Sequence, residues 1–284
     1  MNKQNLLLAL TFCTALSLSA QTILSDNFNA DLGGTNPNPD LTLDTASRQI
    51  GGTTTTAYTK NGNTDAFLNT PGGDSFIGQT VLLLRTESTG GLSPSNSGVT
   101  TNTNFATSLA GNVYNIQVTG LISIGGTPSG DHWGSIFLTD NGAATGPNAA
   151  GTDYGLLYRE RDTDNFTVWK DGVGVTSTQA NGGTSLFDSA STFTLDILVD
   201  EVLGIVQTTI NKGTVTEIAL AGEGITFDNS TDRYFGFRAN QGSATGLVDF
   251  RYDNFSVSLV PEPSAYALLS GLLALSWVMV RRRC

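Results

Sequence analysis

Three acids stand at alternate positions, Glu160, Asp162 and Asp164. Glycoside hydrolysis works with a pair of carboxylates held roughly 5 to 10 Å apart on either side of one bond. Here, however, the spacing falls at a predicted hairpin tip, where solvated acids are the ordinary occupants. The other glutamates ahead of the C-terminal segment, Glu87, Glu201, Glu217 and Glu223, are scattered. Nucleophilic catalysis lacks its parts as well, because His132 is the one histidine and both cysteines, Cys13 and Cys284, lie in the terminal segments. One histidine and no cysteine between the ends leave zinc only carboxylate ligands. Asp162-Thr163-Asp164-Asn165 resembles the start of an oxygen-ligand loop but lacks the later Gly and Glu of an EF-hand, so turn chemistry explains it better. No cofactor is expected, and calcium is the one metal left open.

Binding asks for less than catalysis. Trp133, Tyr154, Tyr158 and Trp169 lie on neighbouring predicted strands, and flat rings on a sheet face can hold sugar rings. Each of the four, taken singly, fits a core position better than a ligand platform. For Trp169, between Val168 and Lys170, the hairpin pattern leaves either face open. His132, in Asp131-His132-Trp133, could be a base beside a sugar platform, although a polar loop residue is the simpler reading.

The elements that would position these residues are strands. The chain has 284 residues, 33 of them Gly, only 14% charged, and no long segment of helical period. In 113–124 the even positions Tyr114, Ile116, Val118, Ile122 and Ile124 are apolar and share one face of a period-two structure. Phe193, Leu195, Ile197 and Val199 alternate with Thr194, Asp196 and Leu198, which predicts a strand with one wet face. Asp171-Gly172 predicts a tight hairpin turn, and Asn211-Lys212-Gly213 a second turn between strands. The pair of stretches 41–50 and 53–60 reads as two strands around Gly51-Gly52, whereas 87–104, rich in Ser, Thr, Gly and Asn, reads as a long surface connection.

Near the end, Val248, Phe250 and Tyr252 are apolar at even positions and Phe255, Val257 and Leu259 at odd ones, which predicts a bulge near Asp253-Asn254. The tripeptide Asp-Asn-Phe occurs at 26–28 and again at 253–255. If the two terminal strands lie together, both copies face similar surroundings.

In the meander 193–220, the strand 234–238 and the closing Tyr252-Asp253-Asn254-Phe255-Ser256-Val257, the chain resembles the concanavalin A-like lectin and glucanase superfamily, laminin-G-like modules included. The resemblance implies an all-β, two-sheet jelly-roll sandwich of roughly a dozen strands, an architecture shared by lectins, glycan hydrolases and structural modules. A fibronectin-like or other sandwich is the alternative. The Glu-x-Asp-x-x-Glu strand of that superfamily's retaining glucanases has no counterpart in this sequence.

Both ends carry addresses. Residues 1–20 have Lys3, the apolar run 6–18 interrupted by Thr11 and Ser17, and small Ser19 and Ala20, as in a secretory signal peptide cut near Ala20 and Gln21. Cys13 follows Phe12, where a lipoprotein site needs a small residue. At the other end, 264–280 is uncharged, and about seventeen residues at ~1.5 Å rise reach ~26 Å, just a bilayer core. Five leucines contribute only about −2 to −3 kcal/mol to such an insertion, a marginal hold. Arg281, Arg282 and Arg283 follow and would keep that end cytoplasmic, with everything before Pro261 outside. Pro261-Glu262-Pro263 precedes the span as a helix-excluding joint.

Tripeptide, short span and arginine cluster in this order resemble a PEP-CTERM sorting tail. That resemblance implies an exosortase-type processing enzyme as partner, cutting at Pro-Glu-Pro; an ordinary membrane anchor is the alternative. The division expected is therefore 1–20 signal peptide, 21–259 exported β-sandwich and 260–284 sorting tail. The exported part would be anchored transiently in the inner membrane and then reside in the cell envelope, cell surface or extracellular matrix.

The net charge is −11, and four of the fourteen cations, Lys3 and Arg281 to Arg283, lie in the terminal segments, so the part between is more acidic still. Such a surface repels phosphate backbones and anionic lipid, which excludes nucleic acid as a partner class. The reading that results is a non-enzymatic surface or matrix protein adhering to polysaccharide. Its alternative is a glycan-degrading enzyme of the same fold.

Overall fold

The structure, a computed structural model, describes residues 20–26, 28, 47–50, 53–56, 58–60, 65–69, 81–87, 96–125, 132–140, 142, 146, 151–160, 165–170, 173–179, 192–212, 215–222, 225–227, 232–241, 247–261, 271–273, 275–277 and 279–281. Outside them lie most of the expected signal peptide, Asp162 and Asp164 of the acidic run, Gly51-Gly52, Glu262, Pro263, Arg282 and Arg283.

In chain order the strands are β1 (Thr22–Asp26), β2 (Ser47–Ile50), β3 (Thr53–Thr56), β4 (Tyr58–Lys60), β5 (Asp65–Asn69), β6 (Val81–Glu87), β7 (Asn96–Thr101), β8 (Val113–Gly125) and β9 (His132–Thr139). Then follow β10 (Thr152–Glu160), β11 (Asn165–Lys170), β12 (Val173–Gln179), β13 (Phe193–Asp200), β14 (Ile205–Lys212), β15 (Val215–Gly222), β16 (Tyr234–Gln241) and β17 (Leu247–Leu259). One sheet of eight runs β15-β14-β13-β8-β17-β6-β5, with β1 beside β17; a sheet of seven runs β12-β11-β10-β9-β16-β7-β4; β2 and β3 form a separate hairpin. Because successive side chains point to opposite faces, each sheet turns one set inward. On β13, Phe193, Leu195, Ile197 and Val199 are all buried while the residues between them are not, as the alternation predicts. Tyr114, Ile116 and Val118 of β8 join the same core, and across the sandwich Tyr252 and Phe255 of β17 meet Phe235 and Phe237 of β16.

The bulge falls where the phase change puts it. β17 pairs with β8 in one register through Asp253 and in a shifted one from Ser256, and Asn254 takes a left-handed φ of 51°. Tyr252 and Phe255 are therefore both buried. The two Asp-Asn-Phe copies do meet: Asp26 pairs with Phe255, and Phe28 and Phe255 both pack on Phe237, at ring separations of 6.3 and 5.0 Å. Asp26 Oδ1 accepts the amide of Phe28, and Asp253 Oδ1 the amide of Asn254, each at 2.7 Å. Burial, and then the nearby Asp26, push the Asp253 carboxyl above its ordinary pKa.

Two expectations are corrected. The stretch read as a surface connection contains β7, whose Ser97, Val99, Thr100 and Thr101 are buried. Asn-Ser-Gly-Val-Thr-Thr shows no apolar alternation, yet threonine suits a strand, and the Thr101 hydroxyl is satisfied by accepting the Phe235 amide at 3.0 Å. The second turn is also shorter than expected, since β14 continues through a bulge to Lys212, which pairs with Val215. The Asp171-Gly172 hairpin closes as expected, Lys170 opposite Val173.

In the C-terminal segment, residues 271–273, 275–277 and 279–281 are helical and expose Leu272, Leu275, Trp277 and Met279. Among the described residues no helix is long and apolar enough to cross a membrane.

Candidate functional site

Register decides which aromatic rings can meet a ligand. On β16 the core takes Phe235, Phe237 and Ala239, so Tyr234, Gly236, Arg238 and Asn240 stand on the outer face, turned away from the other sheet. Their partners on β9 are Thr139, Phe137, Ser135 and Trp133, directly opposite in that order. On the far side of β9, Phe137 pairs with Gly155 of β10, and Gly155 with Trp169 of β11. Trp133 and Trp169 thus share one outer face of the seven-stranded sheet.

Glycines make the rows of this face possible. The Phe137 ring lies flat over Gly236, where a Cβ would overlap ring carbons, and the Trp169 ring packs over Gly174, to which a Cβ would come within 3.5 Å. One margin is set by the β9–β10 connection. Thr139 and Thr152 hydroxyls donate to the carbonyls of Gly151 and Gly146 at 2.9 and 3.1 Å, and Thr100 donates to Gly142. Gly142 abuts the Tyr234 ring and Gly146 the Arg238 side chain.

The electrostatics of the face are carried by Arg238. Its guanidinium sits 5.9 Å from the Trp133 ring centroid, a cation–π contact. Both residues are half-buried, and burial pulls the arginine pKa below its ordinary value. No carboxylate among the described residues pairs with it. The outer-face residues Ser135, Phe137 and Gly155 bring no acid to it; at the margin the Tyr234 hydroxyl donates to Asp232 Oδ2 at 3.1 Å. Two more polar groups on the face have no hydrogen-bond partner: the Ser135 hydroxyl, in a fully buried residue, and the indole N–H of Trp169.

Of the aromatic residues predicted from the sequence, then, the two tryptophans share this face, with β10 between their strands, and Tyr154 does not join them. Tyr154 takes the core position that its type favoured over a platform: it is 1% exposed between the sheets, its hydroxyl 2.9 Å from Thr208 Oγ1, and burial drives its pKa well above that of an ordinary phenol. Tyr158 pairs with Gly134 on β9. His132 and Glu160 pair at the strand ends. Among the described residues no group of three or more His, Cys, Asp or Glu could hold a metal, and the Asp162-Asp164 loop lies outside them. Arg238, Ser135 and Asn240 were missed by a search for aromatics and acids; the alternation Phe235, Phe237, Ala239 was the signal that puts Arg238 and Asn240 on the opposite face.

A groove of about 240 Å³ lies on the outer face of the eight-stranded sheet beside the start of β1 and the end of β17, lined by Ala20, Asn115, Ser256 and Pro261 among others, with no charged side chain. Glu201 and Arg233 form a closed, buried ion pair, 3.5 Å apart.

No family model matches the chain, and no curated protein matches it in sequence. Solved structures do resemble it. The lectin UEA-II complexed with galactose aligns with a TM-score of 0.54 at 8% identity, over 84% of this chain and 100% of that one. Lectin II from Ulex europaeus aligns at 0.51 and 6% identity, over 72% and 93%. Winged bean acidic lectin complexed with methyl-α-D-galactose aligns at 0.50 and 13% identity, over 73% and 94%. The chain has the legume-lectin-like, two-sheet β-sandwich fold that the concanavalin A-like resemblance implies.

Proposed function

We propose that this chain is an exported, non-catalytic carbohydrate-binding protein whose sugar-facing surface is the outer face around Trp133 and Trp169. The observation that carries the reading is that register puts both tryptophans on one outer face of the seven-stranded sheet, with the unpartnered Ser135 hydroxyl on the same face, while Tyr154 goes to the core. Aromatic platforms with a few convergent polar groups are how concave or flat sites hold sugars. The lectin-like fold agrees.

The purified protein should bind polysaccharide with Kd in the roughly micromolar to millimolar range and release no sugar from it. Trp133→Ala should weaken that affinity at least about tenfold, a loss of ~1.4 kcal/mol. Because the ring is half-buried and outside the core, Tm should fall by no more than about 4 °C. Titration and calorimetry on the same samples decide it: unchanged affinity, or an unfolded variant, would remove the tryptophan from the site.

The C-terminal segment supports delivery to the envelope through a PEP-CTERM-type tail, with an exosortase-type enzyme as partner. β17 is held to its last residues, Leu259 N donating to Gln21 O and Val260 N to Val113 O, each at 2.8 Å, so the Pro-Glu-Pro joint starts where the sheet stops. Beyond it the helix exposes leucines, Trp277 and Met279, a surface suited to lipid. Intact-mass measurement of the envelope form should find the chain ending near Pro261; a mature species still ending in Cys284 would show a plain anchor instead.

A further inference from the structure

Resting on the carbohydrate reading, we propose that Arg238 and Ser135 form an anion-recognising subsite on this face, which selects a sugar bearing a carboxylate, a hexuronate, over its neutral counterpart. Three observations converge on it. Arg238 is half-buried, and no carboxylate among the described residues answers its charge. Trp133 beneath it holds the guanidinium in place, leaving its planar fork for a second partner. Ser135 is the directly opposed residue on β9, within cross-strand reach, and its buried hydroxyl has no partner.

The chemistry of these groups is one-sided. A guanidinium can only donate, and an unpartnered hydroxyl can donate, so the complement is a group that only accepts. An ionised carboxylate, with two oxygens that fit the fork, is such a group; a neutral hydroxymethyl is not. The rest of the protein narrows the ligand further. A chain of net charge −11 repels a continuous polyanion, so the subsite suits isolated uronate residues within an otherwise neutral polysaccharide.

Methyl β-D-glucuronide and methyl β-D-glucoside, which differ only at C6, test this by NMR titration of the purified protein, with methyl glucoside 6-sulfate as a third arm. The wild type should bind the glucuronide at least about tenfold more tightly than the glucoside, with the sulfate between them. Arg238→Gln should bring the ratio to about one, and Arg238→Lys, which keeps the charge and loses the fork, should leave an intermediate ratio. Ser135→Ala should lower the glucuronide affinity while raising Tm, because it removes a buried hydroxyl that lacks a partner. Equal binding of glucuronide and glucoside by the wild type overturns the subsite and spares the carbohydrate reading; binding of none of the three overturns both. A glucuronide preference that survives intact in folded Arg238→Lys and Ser135→Ala also overturns it.

Discussion

Glu201→Ala should destabilise the protein by about 3–5 kcal/mol, the range for stripping one partner from a buried ion pair. Arg233 has no exposed surface and Glu201 is only 7% exposed. The carboxylate collects three donors: Arg233 Nε at 3.5 Å and the Tyr114 hydroxyl at 3.0 Å on Oε1, and the Gly111 amide at 3.0 Å on Oε2. These come from separate pieces of chain: the turn after β13, the approach to β16, the start of β8 and the loop after the short helix Ala106–Leu109. The backbone ties them again, with Phe105 N donating to Arg233 O at 2.9 Å and Arg233 N to Asn104 Oδ1 at 3.0 Å. Removing the carboxylate leaves a buried guanidinium without that counter-charge and the Tyr114 hydroxyl without that acceptor. Denaturant titration reads the effect. Replacing Arg233 and Glu201 together by methionine should cost much less than the two single changes added, because desolvation of the pair is then no longer required. A loss under about 1 kcal/mol for Glu201→Ala would mean that water reaches the pair and that the knot is not dry.

Sequence reasoning saw neither half of this pair as such, and the reason is physical. Glu201 and Arg233 are 32 residues apart and meet through strand order, which no local spacing encodes. What is local was legible: the wet and dry faces of β13, the Asp171-Gly172 hairpin, the bulge in β17 and the nearness of the two Asp-Asn-Phe copies. β7 was not, because its burial is supplied by threonines whose hydroxyls find backbone partners only once β16 is beside them. The candidate site divides in the same way. Trp133 and Trp169 could be picked out by type, but the face of Trp169 is decided by Gly155 and Phe137 across two strand pairings. Tyr154, equal to them on paper, turns inward because its strand parity matches Leu138.

Deleting Ser256 should be the most damaging single-residue change in the closing strand. The side-chain period of a strand is two, so losing one residue in its regular part turns the later side chains to the other face if pairing with β8 is kept. Val257, fully buried opposite Ile116, would then stand opposite Gln117 and leave the core, and Ser258 would take its place. Val257 is worth roughly 1.5–3 kcal/mol in burial alone, before the cavity and the buried hydroxyl are counted. The alternative, keeping the faces and shifting the register, would break the hydrogen bonds that join Leu259 to Gln21 and Val260 to Val113, and with them the pairing to β1. Either way the loss is a large part of the roughly 5–15 kcal/mol that holds a whole domain. Deleting Asn254 is the contrast. Asn254 and Phe255 together oppose the stretch of β8 between Thr119 and Gln117, so removing the extra residue leaves Phe255 and Val257 on the buried face and restores unbroken alternation. It costs only the local bonds, the Asn254 amide to Asp253 Oδ1 at 2.7 Å and Asn254 Nδ2 to Oδ2 at 2.9 Å. Soluble expression and circular dichroism of the two variants separate the outcomes. A Ser256 deletion that folds with near-native stability would show that β17 has a second register of comparable energy.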